Sequence, residues 1–226
     1  MFNKKNKLGD IVLADHNLLL VLERFGIRLG FGDRTAEDVC SEYGISSELF
    51  VLICNMYSFE NYVPDIRQLE PVDLKDLLSY LKNSHKYYVE KRLPVIGKNL
   101  DKIISGLEPH YAGALEHFFE DYREEVENHL SYEDEVVFPY VQNLWISPKG
   151  KPGFTINTFK ENHSNIEDKL DDLKNILIKY LRDKGDFEVR KLILSDLFVF
   201  DNDLNKHRLI EEKILIPMVL KIERDE

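Results

Sequence analysis

The sequence predicts an all-α protein in which a small helical N-terminal domain precedes an up-down-up-down four-helix bundle. From Pro71 onward, apolar residues recur at alternating steps of three and four, whereas strand-like alternation is scarce. Short breaks that contain glycine or proline, at residues 105–109, 147–153 and 182–186, separate four long segments. Segments of this length with short connections are typical of an antiparallel bundle.

Composition excludes several classes of protein. The chain has 226 residues, of which 43% are hydrophobic and 31% charged, with 11 glycines and 8 prolines, as in an ordinary globular protein. The net charge of −11 opposes nucleic acids and anionic lipids as partners. Cys40 and Cys54 are too few for a disulfide framework, so we expect buried, reduced thiols. Without a signal-like or membrane-spanning apolar run, we expect a soluble, cytoplasmic protein.

The first 65 residues show shorter periodic pieces. Thr35 and Asp38 have the spacing of a capping box at a helix start. A turn around Gly44 joins two short helices with the look of a helix-turn-helix. The second of these, residues 46–54, carries no arginine or lysine for DNA contacts and is better suited to protein packing. We therefore predict a domain over residues 1–65 and a bundle over residues 70–226.

Each of the four long segments carries an apolar stripe that one histidine interrupts. Side chains three and four residues apart share a helix face, so each histidine should point into the bundle. The stripes comprise Leu74, Leu78, Leu81, His85, Tyr88 and Val95; Leu115, Phe119, Tyr122, Val126, His129, Glu133, Val136 and Tyr140; Ile156, Phe159, His163, Ile166, Leu170, Leu173 and Leu177; and Ile193, Phe200, Leu204, His207, Glu211, Ile214 and Met218.

The spacing of these histidines predicts that they lie at one level. In an antiparallel pair of helices, residues equidistant from the connecting turn sit side by side. The midpoints between successive histidines fall at Leu107, Ile146 and Gly185, each in or beside a predicted break. We therefore expect four imidazoles in one layer of the core.

Two carboxylates join this layer through a near-repeat. The run from His129 through Glu133 and Asp134 to Pro139 matches the run from His207 through Glu211 and Glu212 to Pro217. In each, a glutamate follows a histidine by four residues and so lies one turn further along the same face.

Simpler interpretations compete with a metal site. A single His-x-x-x-Glu is usually a surface pair, and a single inward histidine is usually a hydrogen-bonded core residue. Burying four imidazoles and two carboxylates without partners would cost several kcal/mol for each ion, against a total stability of about 5 to 15 kcal/mol. A metal centre satisfies all six groups, and a proton-sharing polar network is the alternative.

The number and type of donors favour two ions. Six donors exceed the four of structural zinc, and the mixture matches di-metal carboxylate sites in helical bundles. Both glutamates would bridge two non-haem irons together with an oxygen, with manganese and zinc as alternatives. Glu167 either fills an open position or pairs with Lys160 or Lys174, while His16, His110 and His117 are predicted non-ligands. The predicted ligands are His85, His129, Glu133, His163, His207 and Glu211.

The inward histidines and the two His-x-x-x-Glu runs make this chain similar to the hemerythrin-like bundles. It most resembles the repair-of-iron-centres proteins, because Phe25-Gly26-Ile27-Arg28, Arg34-Thr35, Cys40 and Tyr43-Gly44-Ile45 are similar to their N-terminal domain. The resemblance implies the same six residues as iron ligands, with Glu133 and Glu211 as bridges. It also implies a stress-response role in restoring iron–sulfur clusters damaged by nitric oxide or oxidants.

Two departures from these relatives bear on function. Gly30-Phe31-Gly32-Asp33 stands where the repair proteins carry adjacent cysteines, so thiol chemistry is absent there. Oxygen-carrying hemerythrins have His-x-x-x-His on the third helix, where this chain has His163 and Glu167. A sensor of oxygen, nitric oxide or redox state, signalling through the N-terminal helices, is the alternative. Expected partners are a diatomic ligand, iron–sulfur proteins and a second copy in a homodimer; the sequence specifies no catalysed reaction.

Overall fold

The computed structural model describes residues 1–146, 155–162, 167–181 and 187–224. Within these ranges the chain is helical, and the only β feature is an isolated bridge between Lys7 and Thr35. The all-α prediction is confirmed.

Four short helices form the N-terminal part: α1 (Leu8–Ala14), α2 (Leu18–Arg24), α3 (Ala36–Tyr43) and α4 (Ser47–Ser58). The predicted capping box begins α3, because the Thr35 hydroxyl accepts from the Asp38 backbone N–H while the Asp38 side chain accepts from the Thr35 N–H. Gly44 ends this helix in the left-handed region at φ 67°, which glycine adopts without strain.

Longer helices follow a 3-10 turn at Ile66–Gln68, and the described residues include four π-helical turns among them. The predicted break at residues 105–109 is confirmed, whereas those at 147–153 and 182–186 lie outside the described residues. The elements are α5 (Asp73–Tyr87), a π turn (Tyr88–Arg92) and α6 (Leu93–Ile104); α7 (Pro109–Tyr132), a π turn (Glu133–Val137) and α8 (Phe138–Ile146); α9 (Ile156–Asn162), α10 (Glu167–Asn175) and a π turn (Ile176–Tyr180); and α11 (Phe187–Ile210), a π turn (Glu211–Leu215) and α12 (Ile216–Arg224).

The π turns change which residues face the core. Val95 and Val136, predicted on the apolar stripes, are 45% and 39% exposed, while Ile96 and Val137 are buried. A π turn holds one residue more than an α-helical turn, so the buried stripe moves on by one position. The predictions for Val95 and Val136 were therefore wrong.

Three of the four π turns stand just before a proline. Pro94, Pro139 and Pro217 each lie two residues beyond the end of a π turn. Proline cannot donate a backbone hydrogen bond, and its ring clashes with the carbonyl four residues earlier in an α-helix. The wider turn relieves this conflict while the helical path continues.

The chain forms two compact units, one of Met1–Ser84, Val137–Glu161 and Lys206–Glu226, the other of His85–Val136 and Asn162–Asn205. In the first unit, α2 and α3 pack on α4, and α8 packs on α12. The helix α4 is buried continuously from Leu49 to Tyr57, as a core helix must be. The predicted domain boundary between residues 65 and 70 stays a prediction.

In the second unit, α7 packs against both α6 and α10. The helices α6 and α7 approach closely at Gly97, where a β-carbon would lie 3.0 Å from Cε1 of the buried Phe119 ring. Glycine is therefore the residue that permits this helix contact.

Two further observations concern the chain as a whole. Cys40 and Cys54 are both buried and form no disulfide, as predicted. Among the described helices, none combines the length and the apolar character needed to cross a membrane.

Candidate metal centre

Glu133 is fully buried and directs its two carboxylate oxygens at two different histidines. Its Oε2 lies 3.1 Å from Nε2 of His85, and its Oε1 lies 3.0 Å from Nε2 of His129. His129 is one helical turn earlier in the chain, at the predicted spacing of four residues. Glu133 opens the π turn that follows α7, so the change in helical geometry begins at this carboxylate.

His85, near the end of α5, contacts a carboxylate through each ring nitrogen. Besides the Nε2 contact with Glu133, its Nδ1 lies 3.1 Å from Oδ1 of Asp134. Burial by itself lowers the pKa of His85, but the nearby carboxylates of Asp134 and Glu133 outweigh this and raise the pKa to about 9. Negative charge around this ring therefore favours a bound cation, whether a proton or a metal.

His207 and Glu211 form the corresponding pair at the end of α11. The His207 Nε2 lies 3.3 Å from Oε1 of Glu211, and both side chains are at least 95% buried. Glu211 opens a π turn just as Glu133 does. His85 and Glu133 lie in one compact unit and His207 and Glu211 in the other, and all four side chains are buried.

Neighbouring contacts hold these helices in place. Lys206, next to His207, is buried and donates a hydrogen bond from Nζ to the Met56 carbonyl at 2.7 Å. Burial lowers the pKa of Lys206. The Tyr88 hydroxyl, in the π turn after His85, donates to the Asp203 carbonyl at 3.3 Å, one turn before His207. These hydrogen bonds tie the segments that carry His85 and His207 to their neighbours.

The donor set fits a metal centre. Two ligand atoms bonded to one ion at about 2.1 Å and at right angles lie about 3 Å apart. The nitrogen–oxygen separations around Glu133, 3.0 and 3.1 Å, have this size. Because each Glu133 oxygen faces a different imidazole, the carboxylate is arranged as a bridge between two ions requires. Carboxylate and imidazole donors suit iron, manganese and zinc alike.

An open groove of about 700 Å³ lies beside His129. Asp121, Glu124 and Glu125 line it, and Lys169 forms an ion pair with Glu125. The excess of carboxylates makes the groove attractive to cations.

The structure describes some of the other histidines and acids considered from the sequence, but not all of them. His163 lies outside the described residues, and Glu167 is the first residue of α10, with its side chain beyond what the structure describes. His16, His110 and His117 are all exposed, and none belongs to the buried His and Glu group found in the described ranges. His117 pairs with Asp121 at 3.5 Å, a surface contact between residues four apart.

Asp134 is a functional candidate that the sequence did not single out. Asp134 directly follows Glu133 in the near-repeat, and Glu212 follows Glu211 in the same way, so the sequence gives both acids equivalent positions. In the structure the two differ, because Asp134 contacts His85 while Glu212 accepts a hydrogen bond from Arg208 at 2.7 Å. Sequence position alone could not separate them.

Comparison with known proteins agrees with this geometry. Residues 76–219, more than half of the chain, match the family model described as the hemerythrin HHE cation binding domain. Comparisons with curated proteins and with solved structures gave no significant match. The matched range contains the buried His and Glu cluster, and cation binding is what the family description states. The fold, the cluster and this match lead to one conclusion: the chain belongs to the hemerythrin HHE cation-binding domain family.

Proposed function

We propose that this protein binds a pair of iron ions in its helical bundle. The observation that carries the proposal is the fully buried Glu133, which directs one carboxylate oxygen at His85 and the other at His129. His207 and Glu211 supply a second buried His–Glu pair. His163, predicted from its position in the sequence, supplies the sixth. With two bridging glutamates, each ion then has two imidazoles.

Burial and charge explain what the chain contributes. Glu133 and Glu211 are fully buried and bring negative charge to a place from which water is excluded, which strengthens their attraction for cations. Bound iron with open coordination positions supplies redox chemistry toward a small ligand such as oxygen or nitric oxide. The residues of the chain hold, orient and shield the ions.

For the cellular role we propose a stress-response function in which the iron serves the restoration of damaged iron–sulfur clusters. The N-terminal runs around Phe25-Gly26, Arg34-Thr35 and Tyr43-Gly44 support this role, because they are similar to the repair-of-iron-centres proteins. The acidic groove beside His129 supports it too, since exchangeable iron needs a path that attracts cations. Since the cysteine pair is absent, iron delivery would proceed without thiol chemistry in that loop.

Metal analysis tests the iron site directly. Protein loaded with iron(II) under anaerobic conditions and desalted should retain about two irons per chain, as the di-metal architecture requires. His207→Ala and Glu211→Ala should each lower the retained iron by more than half. His117→Ala, an exposed histidine in a surface pair, is the control and should retain the wild-type amount. A folded wild-type protein that retains no iron would contradict the proposal.

An anaerobic transfer assay tests the cellular role. Iron-loaded and iron-depleted protein are each incubated with an iron–sulfur protein whose cluster has been damaged by nitric oxide. Recovery of the cluster absorbance only with the iron-loaded sample supports repair. Equal recovery with both samples would argue against it and leave iron binding untouched.

A sensor that signals through the N-terminal helices is the alternative role. Such a sensor would not signal by binding DNA through α4, because this helix is buried from Leu49 to Tyr57 and has no exposed face to enter a DNA groove. A protein partner would have to receive the signal.

A further inference from the structure

His85 has a carboxylate beside each of its two ring nitrogens. Its Nε2 faces Oε2 of Glu133 and its Nδ1 faces Oδ1 of Asp134, both at 3.1 Å. The two acids are consecutive in the chain. In a regular α-helix, consecutive side chains diverge by about 100°. The π turn that begins at Glu133 is where both nevertheless reach the same ring.

The two acids differ in their surroundings. Glu133 has a fully buried side chain, whereas that of Asp134 is 39% exposed. Asp134 therefore stands at the outer side of the imidazole and Glu133 at the inner side, where His129 also contacts it. Nε2 is the nitrogen that faces the donor cluster, and Nδ1 is the nitrogen that a second residue can hold.

We propose that Asp134 is a positioning residue for the metal centre, which holds the His85 ring through its Nδ1–H and so presents the Nε2 lone pair to the metal. An imidazole that binds a metal through one nitrogen donates its other N–H, and a carboxylate there fixes both the tautomer and the orientation of the ring. The inference rests on the proposed iron site, and it assigns to Asp134 a role that its sequence repeat, Glu212, does not share.

Glu212 provides the matched control. It follows Glu211 as Asp134 follows Glu133, and its side chain is similarly exposed, at 36%. Its carboxylate accepts a hydrogen bond from Arg208, which lies four residues earlier in the chain. Removing either acid changes the net charge by the same amount, and each acid directly follows a predicted glutamate ligand, Glu133 or Glu211. A difference between the two variants therefore reports on the contact with His85.

The experiment compares Asp134→Ala, Asp134→Asn and Glu212→Ala with the wild type. Iron affinity is measured anaerobically by competition with a chromogenic chelator, and thermal unfolding of the metal-free proteins verifies that each variant folds. Loss of an outer partner to a ligand histidine typically weakens metal affinity 10- to 100-fold, and we expect this for Asp134→Ala. Asp134→Asn keeps an oxygen that accepts the Nδ1–H and should recover most of the affinity. Glu212→Ala should stay within about twofold of wild type.

A second measurement does not depend on iron. If Asp134 holds the Nδ1–H of His85 as proposed, this buried proton should give a slowly exchanging downfield signal in the proton NMR spectrum of the metal-free protein. His85→Gln identifies the N–H signals of His85, and correlation with the ring nitrogens separates the Nδ1 proton from the Nε2 proton that faces Glu133. The Nδ1 signal should vanish in Asp134→Ala and persist in Glu212→Ala.

Several results would overturn the inference. They are unchanged iron affinity in Asp134→Ala, an equal loss in Glu212→Ala, no recovery in Asp134→Asn, or a His85 Nδ1 proton signal that survives in Asp134→Ala. A wild-type protein that binds no iron contradicts the proposed function instead, and the NMR comparison then still decides whether Asp134 holds His85.

Discussion

The Nε2 of His129 lies 3.0 Å from Oε1 of Glu133, its neighbour one helical turn further along the chain. The same spacing joins His207 and Glu211 at 3.3 Å. In both cases the glutamate opens a π turn, so an α-helical His–Glu pair stands at the point where the helix widens. Turns of this kind are often found at functional sites in helical proteins.

Removing the charge of Glu133 should remove most of the iron. Glu133→Gln keeps the shape of the side chain but supplies only one good oxygen donor, so it cannot bridge two ions and we expect less than half the wild-type iron content. Plasma mass spectrometry of the desalted protein measures this. Glu135→Gln, an exposed acid in the same π turn, is the control. Equal iron in wild type and Glu133→Gln would argue against a bridging role.

The metal-free protein should lose stability as the pH rises from about 6.5 to 9. His85 has a folded pKa of about 9, against an ordinary value of 6.5. Its stabilising contribution is complete below pH 6.5, where both states are protonated. Above that, only the folded chain keeps the proton, so the free energy of unfolding falls by roughly 1 to 3 kcal/mol until the folded pKa is reached.

Urea unfolding at several pH values measures this fall. His85→Gln should flatten the pH dependence between pH 6.5 and 9, because the remaining groups are unchanged. If the variant and the wild type lose stability in parallel, the pKa of His85 is not the cause.

The two thiols should be unreactive in the native protein. Burial, with a smaller contribution from the charges of Glu48 and Asp76, raises the pKa of Cys40 to about 12, and burial raises that of Cys54 well above its ordinary value. Since the thiolate is the reactive form, reaction with a disulfide reagent at pH 8 should be at least about a hundredfold slower than in denaturant. Absorbance of the released thiolate measures both rates. One rapidly reacting thiol in the folded protein would contradict this.

Gly97 and Gly113 should respond in opposite ways to alanine. Gly113, in α7, has open space around its missing β-carbon, so Gly113→Ala should add up to about 1 kcal/mol of stability through helix propensity. At Gly97 the new methyl group meets the Phe119 ring at 3.0 Å, and overpacking of this kind costs about 1 to 3 kcal/mol. Thermal or urea unfolding of the two variants gives the comparison. An equal gain in the free energy of unfolding at both positions would show that the Phe119 ring moves aside without cost.

Much of the local structure follows from the sequence. Thr35 and Asp38 form the predicted cap, Gly44 ends its helix, and Pro109 begins α7 after the predicted break. The His–Glu spacing of four residues places His129 beside Glu133 and His207 beside Glu211, because an α-helix repeats every 3.6 residues. These features depend on a few neighbouring residues, so the order of side chains along the chain is sufficient to predict them.

Tertiary structure decided what the helical period could not. The π turns moved the core stripe from Val95 to Ile96 and from Val136 to Val137, since one extra residue in a turn changes the direction of side chains near it, although Tyr140 and Met218 stay buried as predicted. Packing also gave Asp134 a place against His85 and left Glu212 with Arg208, although the two acids occupy the same position in the repeat. The helical period determines on which face of its own helix a residue lies. Which residue of another helix it contacts depends on where the two helices pack together.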